Sequence, residues 1–146
     1  MDSSNRLRDT VHKENSTVWE PGLLAKADVE VSQTNRTGLA VSYASLYSDN
    51  PAHGTGCLLF YGGIDGLVHV ITWHERNESW TDDFTFPESN GNAGFSSYLN
   101  DSISYLILVN SVGYLELWWK DFNPQNSSTC AWNRGELIIG GICKTA

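Results

Sequence analysis

Basic residues are scarce in this chain: nine Lys and Arg stand against seventeen Asp and Glu, a formal net charge of -8 over 146 residues. No local Lys/Arg cluster offsets that balance, which repels phosphate backbones and anionic bilayer surfaces and excludes nucleic acid as a natural partner. Cysteine is almost as thin. Cys57, Cys130 and Cys143 lack the short paired spacings of a zinc site and are too few for a dense disulfide scaffold. Long apolar runs are missing too: the opening MDSSNRLRDTVHKENS is polar and charged, so it is expected to be neither a signal peptide nor an anchor, and no membrane segment is expected elsewhere. No window carries an apolar stripe of helical period beyond two turns, with residues 23–31 coming nearest. Charge of either sign is low, at 18%, while 40% of residues are hydrophobic and 12% aromatic. That composition excludes a disordered chain and suits a folded one.

What is present is a repeat. LLFYGGIDGLVHVITW (residues 58–73) and YLILVNSVGYLELWW (residues 105–119) each run an apolar strand into a glycine-bearing turn and out into an alternating strand. At a shift of about 47 residues, Leu59, Phe60, Gly66, Val68 and Val70 fall on Leu106, Ile107, Gly113, Leu115 and Leu117. That period lies in the range of propeller blades. Trp80 and Trp132 close the two copies, and Trp19 marks the end of an earlier one.

The periodicity predicts short strands over residues 38–43, 57–61, 67–73, 104–110 and 114–119, with hairpins at Asp65-Gly66 and at Ser111-Val112-Gly113. Polar, Gly-, Asn- and Pro-bearing loops are expected over 47–56, 87–94 and 121–129. The expected fold class is all-β: propeller blades of antiparallel strands, about two blades plus part of a third. Residues 1–14 are expected as a polar tail and 15–146 as a partial propeller domain. A blade set of this size exposes strand edges and apolar faces, so either a longer chain or a ring of copies is expected to complete it.

Five N-glycosylation sequons, at Asn15, Asn35, Asn77, Asn100 and Asn126, point to an extracellular or luminal glycoprotein. Cys130 and Cys143 are expected either as one disulfide or as small buried hydrophobes, and Cys57 as core.

The pieces CLLFYGGIDGLVHVITW followed by Asn77-Glu78-Ser79-Trp80, and GYLELWWKDFN followed by Cys130-Ala131-Trp132, resemble blades of the fungal fucose-specific lectin family. Those lectins are six-bladed β-propellers that bind fucosylated glycans. The resemblance implies a sugar pocket between neighbouring blades, formed by an Arg before the hairpin, a Glu after it, and stacking aromatics. Charge-assisted hydrogen bonds suit sugar hydroxyls, and an indole or phenol suits the apolar sugar face. In this chain the Arg position falls on Leu58 and Tyr105 and the Glu position on Val70 and Leu117, while His69 and Glu116 lie one residue off. The aromatic part remains: Trp80, Trp132, Trp118 and Tyr114 are the candidate carbohydrate contacts, with Trp73 and Trp119 nearby. Each indole has a second reading as packing between blades.

The resemblance implies glycan partners, fucosylated ones among them, and homotrimers if copies close a ring. No catalytic, metal or cofactor residues are expected. Asp82-Asp83 with Glu78 is expected as a polar loop, since adjacent carboxylates on a strand would point apart and make no glycosidase acid pair. His69, His74 and Glu75 do not converge as metal ligands. The alternative to a lectin is a structural or protein-interaction propeller without sugar binding.

Overall fold

Eleven segments alternate as the strand periodicity requires, and the computed structural model describes them over residues 4–32, 38–44, 56–74, 78–100, 102–123 and 131–138. The strands are β1 (Thr10–His12), β2 (Trp19–Pro21), β3 (Leu39–Ala44), β4 (Gly56–Gly62), β5 (Val68–His74), β6 (Ser79–Phe86), β7 (Ser96–Asn100), β8 (Ile103–Val109), β9 (Leu115–Asp121) and β10 (Asn133–Ile138). A 3-10 turn covers Leu23–Ala27, and no described helix is long and apolar enough to cross a membrane.

Two four-stranded antiparallel sheets result, ordered β3-β4-β5-β6 and β7-β8-β9-β10. They are blades 1 and 2, and the duplicated sequence forms their central hairpins, β4-β5 and β8-β9. The turn glycines show why the two copies align. Gly66 and Gly113 both adopt positive φ, 80° and 91°, which a side chain would strain. With the turns equivalent, strand alternation places equivalent residues on the same face of each blade.

Blade 1 is covered on both faces. Toward blade 2, Leu58, Phe60, Val68, Val70 and Phe86 pack with Leu106, Leu108, Trp118 and Trp132 in one core. On its other face Leu59, Tyr61 and Ile71 pack with Leu7, Leu24, Val29 and Val31 of the N-terminal segment. That segment closes on itself through the Arg6–Glu30 bridge and the Leu7 amide donating to the Val29 carbonyl at 3.0 Å, and it is pinned to blade 1 by the Val31–Gly63 bridge and by the Ser32 amide donating to the Gly62 carbonyl at 2.9 Å.

Two sequence expectations change here, and one strand was not anticipated. The boundary at residue 14 is not a boundary of packing, because Leu7 is 7% exposed in the second core and β1 belongs to the opening stretch. Asp82 and Asp83 lie in a strand, β6, and not in a loop. Its sequence SWTDDFTF hides the alternation because a register shift opposite Val70 and Ile71 interrupts it, a bulge that re-aims one side chain. Strand β7, SSYLN, is too polar to have been read as a strand and owes its form to pairing with β8.

Candidate functional site

A groove of about 610 Å3 lies between the N-terminal segment and the outer strands of blade 1. Its aromatic wall comes from a cross-strand pair. Trp73 on β5 stands opposite Trp80 on β6, with ring centroids 5.5 Å apart at 51°. Both indoles are half-buried. Trp80 leans on the core of Leu59, Tyr61 and Ile71, which fixes it while the pair lines the groove.

The facing wall is built by Asp9. Its carboxylate accepts the Leu24 amide at 2.9 Å, its carbonyl accepts the Gly22 amide at 2.9 Å, and a Cβ at Gly22 would meet the Asp9 carboxylate at 2.0 Å. Only glycine allows that approach. Lys13 and Glu20 form an ion pair at 2.6 Å on the same wall, and Glu78 and Cys57 complete the lining. Burial pushes the Cys57 thiol up from its ordinary pKa, so it is a packing group and not a reactive thiolate. Two fixed indoles beside Asp9, Glu20, Glu78 and Lys13 suit a ligand with one apolar face and several hydroxyls.

Trp80 therefore lines the groove, and Trp73 joins it. Trp132 and Trp118 do not. Trp132 is 8% exposed, meets Phe60 and Phe86 edge-on with centroids 5.8 and 5.1 Å away, and donates Nε1–H to Asp83 at 3.0 Å. Trp118 is 4% exposed and donates Nε1–H to Glu116 at 3.2 Å. Blade 2 covers both indoles with blade 1, so neither offers a ring to a ligand. Tyr114 is 59% exposed at the end of the β8-β9 hairpin, its amide held by the Asn110 side chain at 2.9 Å, and it does not line the groove.

Leu58 and Val70 are fully buried in the seam between the blades, whereas Tyr105 and Leu117 occupy the other face of blade 2 and are half-buried. Tyr105 stacks on Tyr98 there at 4.7 Å, and Trp119 pairs with it in register. This face is equivalent to the face of blade 1 that blade 2 covers.

Lys120 bonds across the seam to Asp83, while Glu116 organises the blade 2 side of it. Glu116, 1% exposed, accepts from Asn110 at 2.8 Å, from Trp118, and from Arg134 on the neighbouring strand. Burial works to raise its pKa, but the bonds from Arg134, Asn110 and Trp118 outweigh it and hold the carboxyl below its ordinary range. Because the folded pKa is depressed, the resulting stability is complete above the unfolded value, about 4.3, and is lost as pH falls through the folded one. Melting temperature should thus fall more steeply below about pH 4 in the native chain than in Glu116→Gln. Parallel slopes in differential scanning calorimetry would refute that role.

Asp82 and Asp83 point apart, as adjacent strand residues should: Asp83 crosses the seam to Lys120, while Asp82 lies on the side of Tyr61 and His69. Among the described residues, no group of three or more His, Cys, Asp or Glu is arranged to hold a metal ion. Asn15 and Asn100 are exposed, Asn15 in a turn with φ 65°. Asn35, Asn77 and Asn126, and the Cys130 and Cys143 pair, lie outside the described residues.

Two four-stranded antiparallel blades packed face to face, with a third unit begun by the N-terminal segment, define part of a β-propeller. The fold matches a mutant of the Aleuria aurantia lectin, solved in complex with alpha-methyl-L-fucoside, with a TM-score of 0.66 and 14% sequence identity. The match covers 92% of this chain and 39% of that lectin, so the chain spans well under half of its length. No protein-family model matches the chain, and no curated protein matches it in sequence.

Proposed function

We propose that this chain is a non-catalytic carbohydrate-binding propeller module whose ligand surface is the Trp73–Trp80 groove. The observation that carries the reading is the pair of half-buried indoles, 5.5 Å apart, facing carboxylates and a lysine across an open groove. The fucoside bound by the lectin of like fold makes fucosylated glycans the first ligands to test. In this reading the polar contacts come from Asp9, Glu20, Glu78 and Lys13, in place of an Arg and Glu at Leu58 and Val70.

The half-buried face of blade 2, with Tyr105, Leu117 and Trp119, is completed by further blades, either from a longer chain or from a ring of three copies. Exposed sequons at Asn15 and Asn100 fit an extracellular or luminal glycoprotein. A structural propeller without sugar binding is the second reading, favoured by the burial of Trp118 and Trp132.

Glycan-array screening followed by titration with methyl fucoside tests the proposal. Trp73→Ala and Trp80→Ala should each weaken binding about tenfold, since an aromatic stack is worth about 0.5–1.5 kcal/mol beyond area burial and tenfold corresponds to about 1.4 kcal/mol. Trp119→Ala should leave the affinity of the groove unchanged. If no glycan is retained, or if both groove variants bind as the native chain does, the structural reading stands instead. Light-scattering mass separates a three-copy ring from a single chain.

A further inference from the structure

The β1-β2 hairpin leaves an indole in water: Trp19 is 64% exposed, and Val18 beside it 62%. Strand alternation sorts the hairpin into two faces. Val11 pairs with Glu20, and both line the Trp73–Trp80 groove together with Lys13, whereas His12 pairs with Trp19 on the opposite face, the two rings 5.1 Å apart at 53°. Trp19 therefore faces away from the groove, and a ligand there does not cover it.

The turn that joins the two strands carries the sequon Asn15-Ser16-Thr17. The Ser16 amide donates to the Lys13 carbonyl at 3.0 Å, and the Ser16 hydroxyl donates to the Val18 carbonyl and accepts the Val18 amide, each at 3.1 Å, so the turn is held from both sides. Asn15 takes φ 65°, a left-handed conformation that Asn tolerates better than most side chains. Asn15 and Thr17 are exposed and make no side-chain hydrogen bond among the described residues. The sequon at Asn100 differs: its Ser102 is 9% exposed and donates its hydroxyl to Asp121 at 2.8 Å, so folding engages the group that completes the sequon.

Asn15 lies three residues from His12, at most about 10 Å along the backbone, so the first sugar rings on its Nδ2 come within reach of the His12–Trp19 pair. A pyranose has an apolar face that suits an indole, and covering Trp19 removes apolar surface from water. We propose that Asn15 carries an N-linked glycan whose first N-acetylglucosamine rings stack on Trp19. The proposal rests on the extracellular or luminal reading, since the donor is a polyprenyl-diphosphate-linked oligosaccharide of that compartment. Nδ2 forms the bond to the anomeric carbon and gives up one proton, while the bond from that carbon to the diphosphate oxygen breaks and its electron pair leaves with the diphosphate.

The full chain, secreted from a eukaryotic cell behind an added leader, tests this. Peptide mass spectrometry should find Asn15 occupied. Hydrogen exchange over residues 10–21 should be about fivefold slower than in Asn15→Gln, within the range that one aromatic stack supplies, and trimming to a single N-acetylglucosamine should keep most of that protection. In Trp19→Leu, which retains an apolar side chain and removes the ring face, Asn15 should still be occupied but exchange should no longer respond to the glycan. Equal exchange with and without the glycan, or the same protection in Trp19→Leu, would overturn the proposal. A bare Asn15 beside other occupied sequons would overturn it and leave the compartment reading standing; bare sequons throughout would overturn both.

Discussion

Asp83→Ala is expected to destabilise the fold by about 3–5 kcal/mol, the usual cost of leaving one partner of a buried ion pair alone. The carboxylate takes Lys120 Nζ on both oxygens, at 2.9 and 2.8 Å, and also accepts the Trp132 indole N–H at 3.0 Å. Lys120 is almost fully enclosed, with 7% of its side chain exposed, and its ammonium lies 5.1 Å from the Phe122 ring centroid and 5.9 Å from that of Trp132. Without Asp83 that ammonium keeps its burial and loses its counter-charge. The pair also joins β6 of blade 1 to β9 of blade 2, so its loss acts on the docking of whole blades.

Lys120→Met should be costly alone for the same reason in reverse, because it strands the carboxylate. Asp83→Leu combined with Lys120→Met should cost clearly less than the sum of the single changes, since apolar replacement of both partners removes the desolvation penalty. Urea denaturation of the native chain, Asp83→Leu, Lys120→Met and the double variant measures the cycle. Additive losses would mean that Asp83 and Lys120 stabilise the fold separately and not as a pair.

Phe86→Ala should cost about as much, 3–5 kcal/mol by the general range for truncating a buried phenylalanine (about 3–5). Its ring is fully buried and lies 5.1 Å from Trp132, 5.4 Å from Trp118 and 5.1 Å from Phe84, all close to edge-on. Truncation would open a void at the point where three aromatics converge, and the rigid sheets on either side limit collapse. Phe86→Leu, which retains more volume, should lose less. The near-ultraviolet circular dichroism of the indoles should weaken in step with stability. A loss below about 1 kcal/mol for Phe86→Ala would place the seam elsewhere.

How much of this could be read from the chain differs from element to element. The central hairpins were legible because Val68 to Val70 and Leu115 to Leu117 alternate beside a glycine that must turn with positive φ. Strand β6 was not, since the bulge at Asp83 breaks its alternation and its polar residues serve a neighbouring blade. Strand β7 offered no signal beyond its partner. The N-terminal stretch looked like a tail because single apolar residues such as Leu7, separated by charges, have no periodicity until Val29 and Leu59 are beside them.

Among the candidate site residues the indoles divided in a way that composition could not foretell. Trp80, Trp118 and Trp132 are alike as residues, and each ends or interrupts an alternating strand. Trp118 and Trp132 face blade 2's interface with blade 1, whereas Trp80 faces a segment too small to cover it fully. Trp73 gained its place from cross-strand pairing with Trp80.

The sequence by itself determined the all-β class, the blade-sized repeat and the turns, because strand alternation and glycine torsions act between near neighbours and recur at a constant spacing. Only the tertiary structure decided which face of each blade is closed, which tryptophans remain open to a ligand and which carboxylates find a cation. Those outcomes depend on residues tens of positions apart meeting across a seam, and solvent exclusion there, more than residue type, separates a core indole from one that lines a groove.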